Sequence, residues 1–242
     1  PDPATVAKLA ALGYVAGGTG TAEGLSTEEL PNPKSMLWLY NLLAAANNAV
    51  AAGDEEGGEK MLLELLDAND SLVDGWVSLG RLYRDQGRMA DALVAFREAN
   101  ARRPQDLFLV SRLANALISA QQPAEAEQHL LVAQEKHPDN PLIVYAMARV
   151  MESTGRLAEA ETLFARALEL DPLSAPSHVR LAALALRRGD LDAAAAQLEA
   201  AQRLDPNAAE ASLFMGQLLE RRNQIEMAAQ AYRNELAQSP NS

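Results

Sequence analysis

The nearest approach to a catalytic arrangement in this chain is Ser174-Ala175-Pro176-Ser177-His178. A serine there could act as a nucleophile only if a base and charge-stabilising donors were brought to it. The same residues fit a turn and helix start, where Ser and Pro are favoured. The three histidines make no metal set, since His129 and His137 share one helix and its exit turn while His178 lies in another segment. Gly18-x-Gly20 lacks the preceding strand and the lysine of a phosphate-binding loop. Asn69-Asp70-Ser71 spells a glycosylation acceptor, a triplet that arises often by chance. Cysteine is absent, which removes disulfides, thiolate metal sites and cysteine nucleophiles. No enzyme chemistry, cofactor or metal is expected from these residues. The question becomes what surface the chain presents.

The elements that carry such a surface follow from a beat of prolines. Pro104, Pro138, Pro172, Pro206 and Pro240 stand 34 residues apart, the period of a helix–turn–helix repeat that stacks into a solenoid. Other columns keep the beat. Leu79, Gly80, Ala92, Phe96 and Ala99 are followed by Leu113, Ala114, Ala126, Leu130 and Ala133, and then by Met147, Ala148, Ala160, Phe164 and Ala167. The columns continue through Leu181, Ala182, Ala194, Leu198 and Ala201 to Met215, Gly216, Ala228, Tyr232 and Glu235. Apolar spacings of three and four mark each half-unit as an amphipathic helix. Gly53, Gly87, Gly155, Gly189 and Asn223 interrupt the units near their middles, as residues that tolerate a left-handed helix end. At Gln121-Gln122-Pro123 the break is expected from proline instead. Small residues facing each other on the two helices would let the backbones approach closely. One such pair cannot bury its own apolar face, so stacking must make it stable.

This pattern resembles the tetratricopeptide repeat (TPR) family. The resemblance implies an all-α, right-handed superhelix (an α-solenoid) of about six helix–turn–helix units. A leader helix and Gly-rich linker would span 1–34 and a degenerate first unit 35–72, where Ala46, Gly53, Gly58 and Leu62 keep the columns. Five regular units would follow over 73–106, 107–140, 141–174, 175–208 and 209–242. Glu235 replaces the alanine of the earlier units. It reads as a charge placed where no further unit packs, and is expected to be solvent-exposed.

In this family the first helices of successive units line a concave groove. The resemblance therefore implies groove positions at Val77, Arg81 and Arg84, at Phe108, Ser111 and Asn115, at Leu142, Tyr145 and Arg149, and at Val179 and Ala183. Apolar contacts mixed with guanidinium groups suit an extended peptide or protein segment carrying apolar and acidic side chains, since Arg forks onto carboxylates. The lysine–asparagine–arginine clamp of some family members is missing, because no unit holds Lys and Asn one turn apart. The expected role is a non-catalytic protein–protein interaction scaffold. Self-association through the apolar ends of the array is a further reading.

The leader suggests a second one. Leu9-Ala10-Ala11-Leu12-Gly13-Tyr14-Val15 before a glycine-rich joint resembles the tail that ends bacterial sulfatase-type hydrolase domains, some of which carry TPR arrays after it. The array would then be the accessory module of a hydrolase whose catalytic domain lies upstream, and would be periplasmic; without that link it reads as cytoplasmic. Ser174–His178 is similar to the sulfatase nucleophile signature but has His178 in place of Arg and no Thr-Gly after it. The chain starts at Pro1 and shows no signal peptide, so it reads as part of something longer or as a processed product. The net charge of −12 and the absence of any Lys/Arg-rich run argue against nucleic acid and anionic lipid as partners. The uncharged run from Ser35 to Gly53 has the length of a membrane span, but asparagines and alanines interrupt it, so membrane insertion is not expected.

Overall fold

The computed structural model describes residues 33–238. Among these the apolar spacing becomes twelve helices and no strand: α1 (Pro33–Ala51), α2 (Glu55–Ala68), α3 (Val73–Asp85), α4 (Met89–Arg102), α5 (Leu107–Ser119), α6 (Pro123–Lys136), α7 (Pro141–Ser153), α8 (Leu157–Leu170), α9 (Ala175–Arg188), α10 (Leu191–Leu204), α11 (Ala211–Arg221) and α12 (Ile225–Gln238). The chain divides into two bodies between Asn41 and Leu42, inside α1. The described part of the first is helical throughout. The second carries the rest of α1 and all later helices. Residues 1–32 of the expected leader, with the sulfatase-like stretch, lie outside the described residues. No described helix is long and apolar enough to cross a membrane.

In the second body each first helix packs on the second helix of its unit, and each second helix packs on the first helix of the next. The seam within a unit depends on the small-residue columns. Ala92, Ala126, Ala160 and Ala194 are wholly buried, as are Ala114, Ala148 and Ala182 across from them. At Gly80 even a methyl group would stand 2.7 Å from the Phe96 ring. Leu130, Phe164 and Leu198 fill the adjoining space and are wholly buried. Stacking of units is visible at Ala99, which packs with Val73 of its own unit and Leu109 of the next.

Six turns between paired helices share one geometry. Gly53, Gly87, Gln121, Gly155, Gly189 and Asn223 all have φ between +59° and +88°. The amide of the following residue reaches back to a carbonyl five residues earlier, as in Gln122 N to Leu117 O at 2.8 Å and Arg156 N to Met151 O at 2.9 Å. This is the Schellman closure, which satisfies carbonyls a helix end would otherwise leave open. The expectation at Gln121 is therefore corrected: its break is left-handed like the others, and Pro123 opens α6 rather than ending α5.

Ion pairs link successive units on the outer side. Arg88 pairs with Glu59 at 2.9 Å, Arg156 with Glu127 at 2.9 Å and Arg222 with Asp192 at 2.7 Å; Arg188 pairs with Glu161. In each, an arginine at the mid-unit turn reaches an acid on the second helix of the preceding unit. All are well solvated, so each contributes little to stability.

A second correction concerns Glu235. It is 8% exposed, and its Oε2 has no hydrogen-bond partner. The Ala99 contacts supply the reason: this column faces the first helix of its own unit as well as the next one, so the position stays covered at the end of the array.

Ala160→Leu should overpack the seam and cost about 1–3 kcal/mol. Ala158→Leu, on the exposed side of the same helix, should stay within about 0.5 kcal/mol. Equal denaturant midpoints for the two variants would contradict the seam. Gln121→Gly should raise stability by about 0.5–1 kcal/mol, because a side chain at φ +59° is strained. Chemical denaturation reads this, and a lowered midpoint would count against it.

Candidate functional site

The groove begins with helix caps. Asp106 accepts from the amides of Phe108 (3.0 Å) and Leu109 (3.4 Å), and Asn140 from those of Leu142 (3.1 Å) and Ile143 (3.2 Å). Ser174 accepts from the Ser177 amide at 3.4 Å. Each side-chain oxygen satisfies amides that a helix start leaves open, and each places one residue of the opening turn (Phe108, Leu142, Pro176) at the same groove position. The Ser174–His178 segment is thus a helix cap. Ser177 is wholly buried and His178 Nδ1 contacts Gln197 Oε1 at 2.6 Å.

Between α3, α5 and α7 lies a cleft of about 450 Å³. Seven expected groove residues line it: Arg84, Phe108, Ser111, Asn115, Leu142, Tyr145 and Arg149. A second hollow of about 600 Å³ adjoins it, sharing Phe108, Leu142, Tyr145 and Pro176. Phe108 is 74% exposed at their shared edge. Tyr145 is held from behind by the buried Phe164, with ring centroids 5.4 Å apart. The Asn115 Oδ1 is buried and accepts no hydrogen bond.

Four expected residues are not brought into the cleft. Val77 is half-buried and packs against the Val73–Ala99–Leu109 cluster. Arg81 is exposed beside the cleft. Val179 and Ala183 are corrected outright. Val179 is 1% exposed, packed with Ala175, Ala201, Ala208 and Ala211, and Ala183 is also buried. The cover of Val179 comes from Ala201 of α10 and from Ala208 and Ala211 at the entry to α11, and Arg221 of α11 donates to the Leu186 carbonyl of α9.

The columns above missed two arginines at one repeat position, where other units hold Ser78, Ala146 or Phe214. A charge in an otherwise uncharged column was the available signal. Arg180 of α9 reaches α7 and the residue that precedes α11: its Nη2 donates to Glu210 Oε1 at 2.5 Å, and its Nη1 lies 3.9 Å from Glu152 of α7. Burial pulls its pKa down, but Glu210, Tyr145 and Glu152 outweigh this and raise it. Arg149 lies 3.5 Å from the same Glu152. Arg112 lines the cleft and is half-buried. Burial, then the charges of Arg81 and Arg84, lowers its pKa.

Glu210 sits at φ +64°, just before α11. Ala208 stands where Asp106, Asn140 and Ser174 provide a cap oxygen, and α11 starts two residues later in its unit than α5, α7 and α9 do. At Leu72, which also offers no cap oxygen, Trp76 Nε1 ties the opening turn by donating to Asp70 O at 2.7 Å.

Tetratricopeptide repeat models match residues 43–106 and 179–242, residues 83–150, and residues 142–184. The chain belongs to the tetratricopeptide repeat family. Solved structures with this fold include a TPR protein from Parabacteroides merdae (17% identity, TM-score 0.74, covering 89% of this chain and 83% of that one). Another is TTC0263, a TPR protein of Thermus thermophilus (22% identity, TM-score 0.62, 75% and 99%). A third is PilW, a type IV pilus biogenesis factor (17% identity, TM-score 0.62, 88% and 96%). These likenesses concern the fold. No curated protein matches the sequence significantly.

Glu210→Gln should cost about 1–2 kcal/mol, because it removes the close charged partner of a mostly buried guanidinium. Glu226→Gln, exposed on α12, serves as the control and should stay within about 0.5 kcal/mol. Denaturant midpoints give both values.

Proposed function

We propose that this array is a non-catalytic interaction scaffold whose cleft between α3, α5 and α7 holds an extended peptide or protein segment. The observation that carries this reading is the pairing, in one cleft, of an exposed aromatic edge at Phe108 with the amide side chain of Asn115. An amide side chain offers both a donor and an acceptor, which the main chain of any peptide can match. An aromatic ring left 74% exposed offers apolar area that a partner side chain would cover. Tyr145, braced by Phe164, gives that contact a rigid floor. Rigid floors reduce the ordering cost of binding.

Panning random dodecapeptides against the immobilised array tests this. Phe108→Ala with Leu142→Ala should weaken capture of the selected peptides about tenfold or more with helicity unchanged. Leu131→Ala with Val132→Ala, on the outer face, should not. The reverse pattern would move the binding surface to the second helices.

A further inference from the structure

Eight arginines of the array, Arg88, Arg97, Arg102, Arg156, Arg166, Arg180, Arg188 and Arg222, each pair with a carboxylate within 3.0 Å. Arg81, Arg103, Arg187, Arg221 and Arg233 have no carboxylate within ion-pair distance and are exposed; among the described residues Arg112 is the half-buried arginine without one. It stands at one end of the cleft. Arg81 and Arg84 on α3 and Arg112 on α5 form a cluster whose only paired acid is Asp85, bonded to Arg84 at 2.8 Å. Among the described residues no carboxylate lies within ion-pair distance of Arg81 or Arg112.

Arg112 carries the cost of this arrangement. It is half-buried and faces two like charges. A guanidinium cannot shed its proton to escape, so the repulsion persists in the free protein. In a chain with a net charge of −12, a half-buried arginine beside two exposed ones is not a by-product of composition. An anion placed there would offset both the burial and the repulsion, and would do so bidentately. Beside the cluster in the same cleft stand Phe108, Leu142 and Tyr145, an apolar receptacle unsuited to a lone inorganic ion. The acidic remainder of the chain repels long polyanions.

We infer that Arg112, supported by Arg81 and Arg84, is a carboxylate-recognition site that takes an Asp or Glu side chain of a bound segment, whose neighbouring aromatic or aliphatic side chain enters the hollow formed by Phe108, Leu142 and Tyr145. The inference rests on the groove reading above and adds to it a ligand chemistry and a direction. The acidic residue lies toward α3 and the apolar one toward α7.

The dodecapeptides selected on the array test it. They should carry Asp or Glu close to an aromatic or aliphatic residue, and their Glu→Gln forms should bind about tenfold or more weakly. Arg112→Gln should erase that difference, while Phe108→Ala weakens acidic and amide forms alike. Arg112→Leu should raise the denaturant midpoint of the free array, since it removes a repelled, half-buried charge; a structural arginine would lower it. Peptides that need Phe108 but show no acidic bias, or a bias that survives Arg112→Gln, overturn the carboxylate site and leave the groove standing. Peptides indifferent to Phe108, Leu142 and Arg112 overturn both. Capture of oligo(dT) that depends on Arg112 and exceeds capture of the acidic peptides overturns the inference in favour of single-stranded nucleic acid.

Discussion

The close approach of the two helices within each unit is the constraint on which the rest of the molecule depends. That approach requires a side chain no larger than a methyl on both backbones, and the columns running from Gly80/Ala92 to Ala182/Ala194 meet it with residues that are almost wholly buried. Once the backbones meet, the larger Phe96, Leu130, Phe164 and Leu198 have only one place to go, the wedge behind the seam. Filling that wedge presents a flat face to the next unit. Interiors packed to this density do not adapt to an added methylene, so the seam sets the spacing and tilt of every later element. The array inherits its shape from these alanines.

The groove is a consequence of that geometry. First helices fall side by side because second helices have taken the wedge. The Asx and Ser caps that start α5, α7 and α9 also fix which residue of the opening turn sits at the groove rim. Stability and site placement thus share atoms. The cleft is not uniform along the array, however. Between α3, α5 and α7 it stays open, with aromatic and cationic walls. Along α9, Val179 is packed with Ala201, Ala208 and Ala211, and Arg180 ties Glu152 to Glu210. The same arginine type is neutralised at Arg180 and left unneutralised at Arg112. That contrast separates a guanidinium paired inside the array from one that faces like charges.

The fold was legible in the sequence because a repeat announces itself many times. The columns at Ala92, Phe96 and Ala99 recur at constant spacing, and the helices, seams and mid-unit turns follow from the periodicity of single residues. Arg84, Phe108, Ser111, Asn115, Leu142, Tyr145 and Arg149 were reached by the same register, since they lie on helices whose rotation the seam already fixes. Where the sequence misled, it did so for lack of a neighbour's position. Gln121 carries no mark of a left-handed conformation, because the strain there is imposed by the Schellman closure around it. Glu235 looks like a surface residue only if its own unit's first helix is overlooked.

What the sequence determined by itself is everything set by contact within and between consecutive units: the all-helical repeat, its 34-residue beat, the seam and the turns. Tertiary structure alone decided which stretch of the groove is open. Val77, Val179 and Ala183 share groove columns with residues that line the cleft, yet Val77 and Val179 pack into apolar clusters and Ala183 is buried. That difference comes from which side chains of neighbouring segments reach each position, a quantity no single column encodes. The charge state of the site was settled the same way. Arg112 and Arg180 occupy one column, and only the three-dimensional placement of Glu152 and Glu210 pairs one of them and leaves the other facing like charges, because Coulomb energy depends on distances in space rather than in sequence.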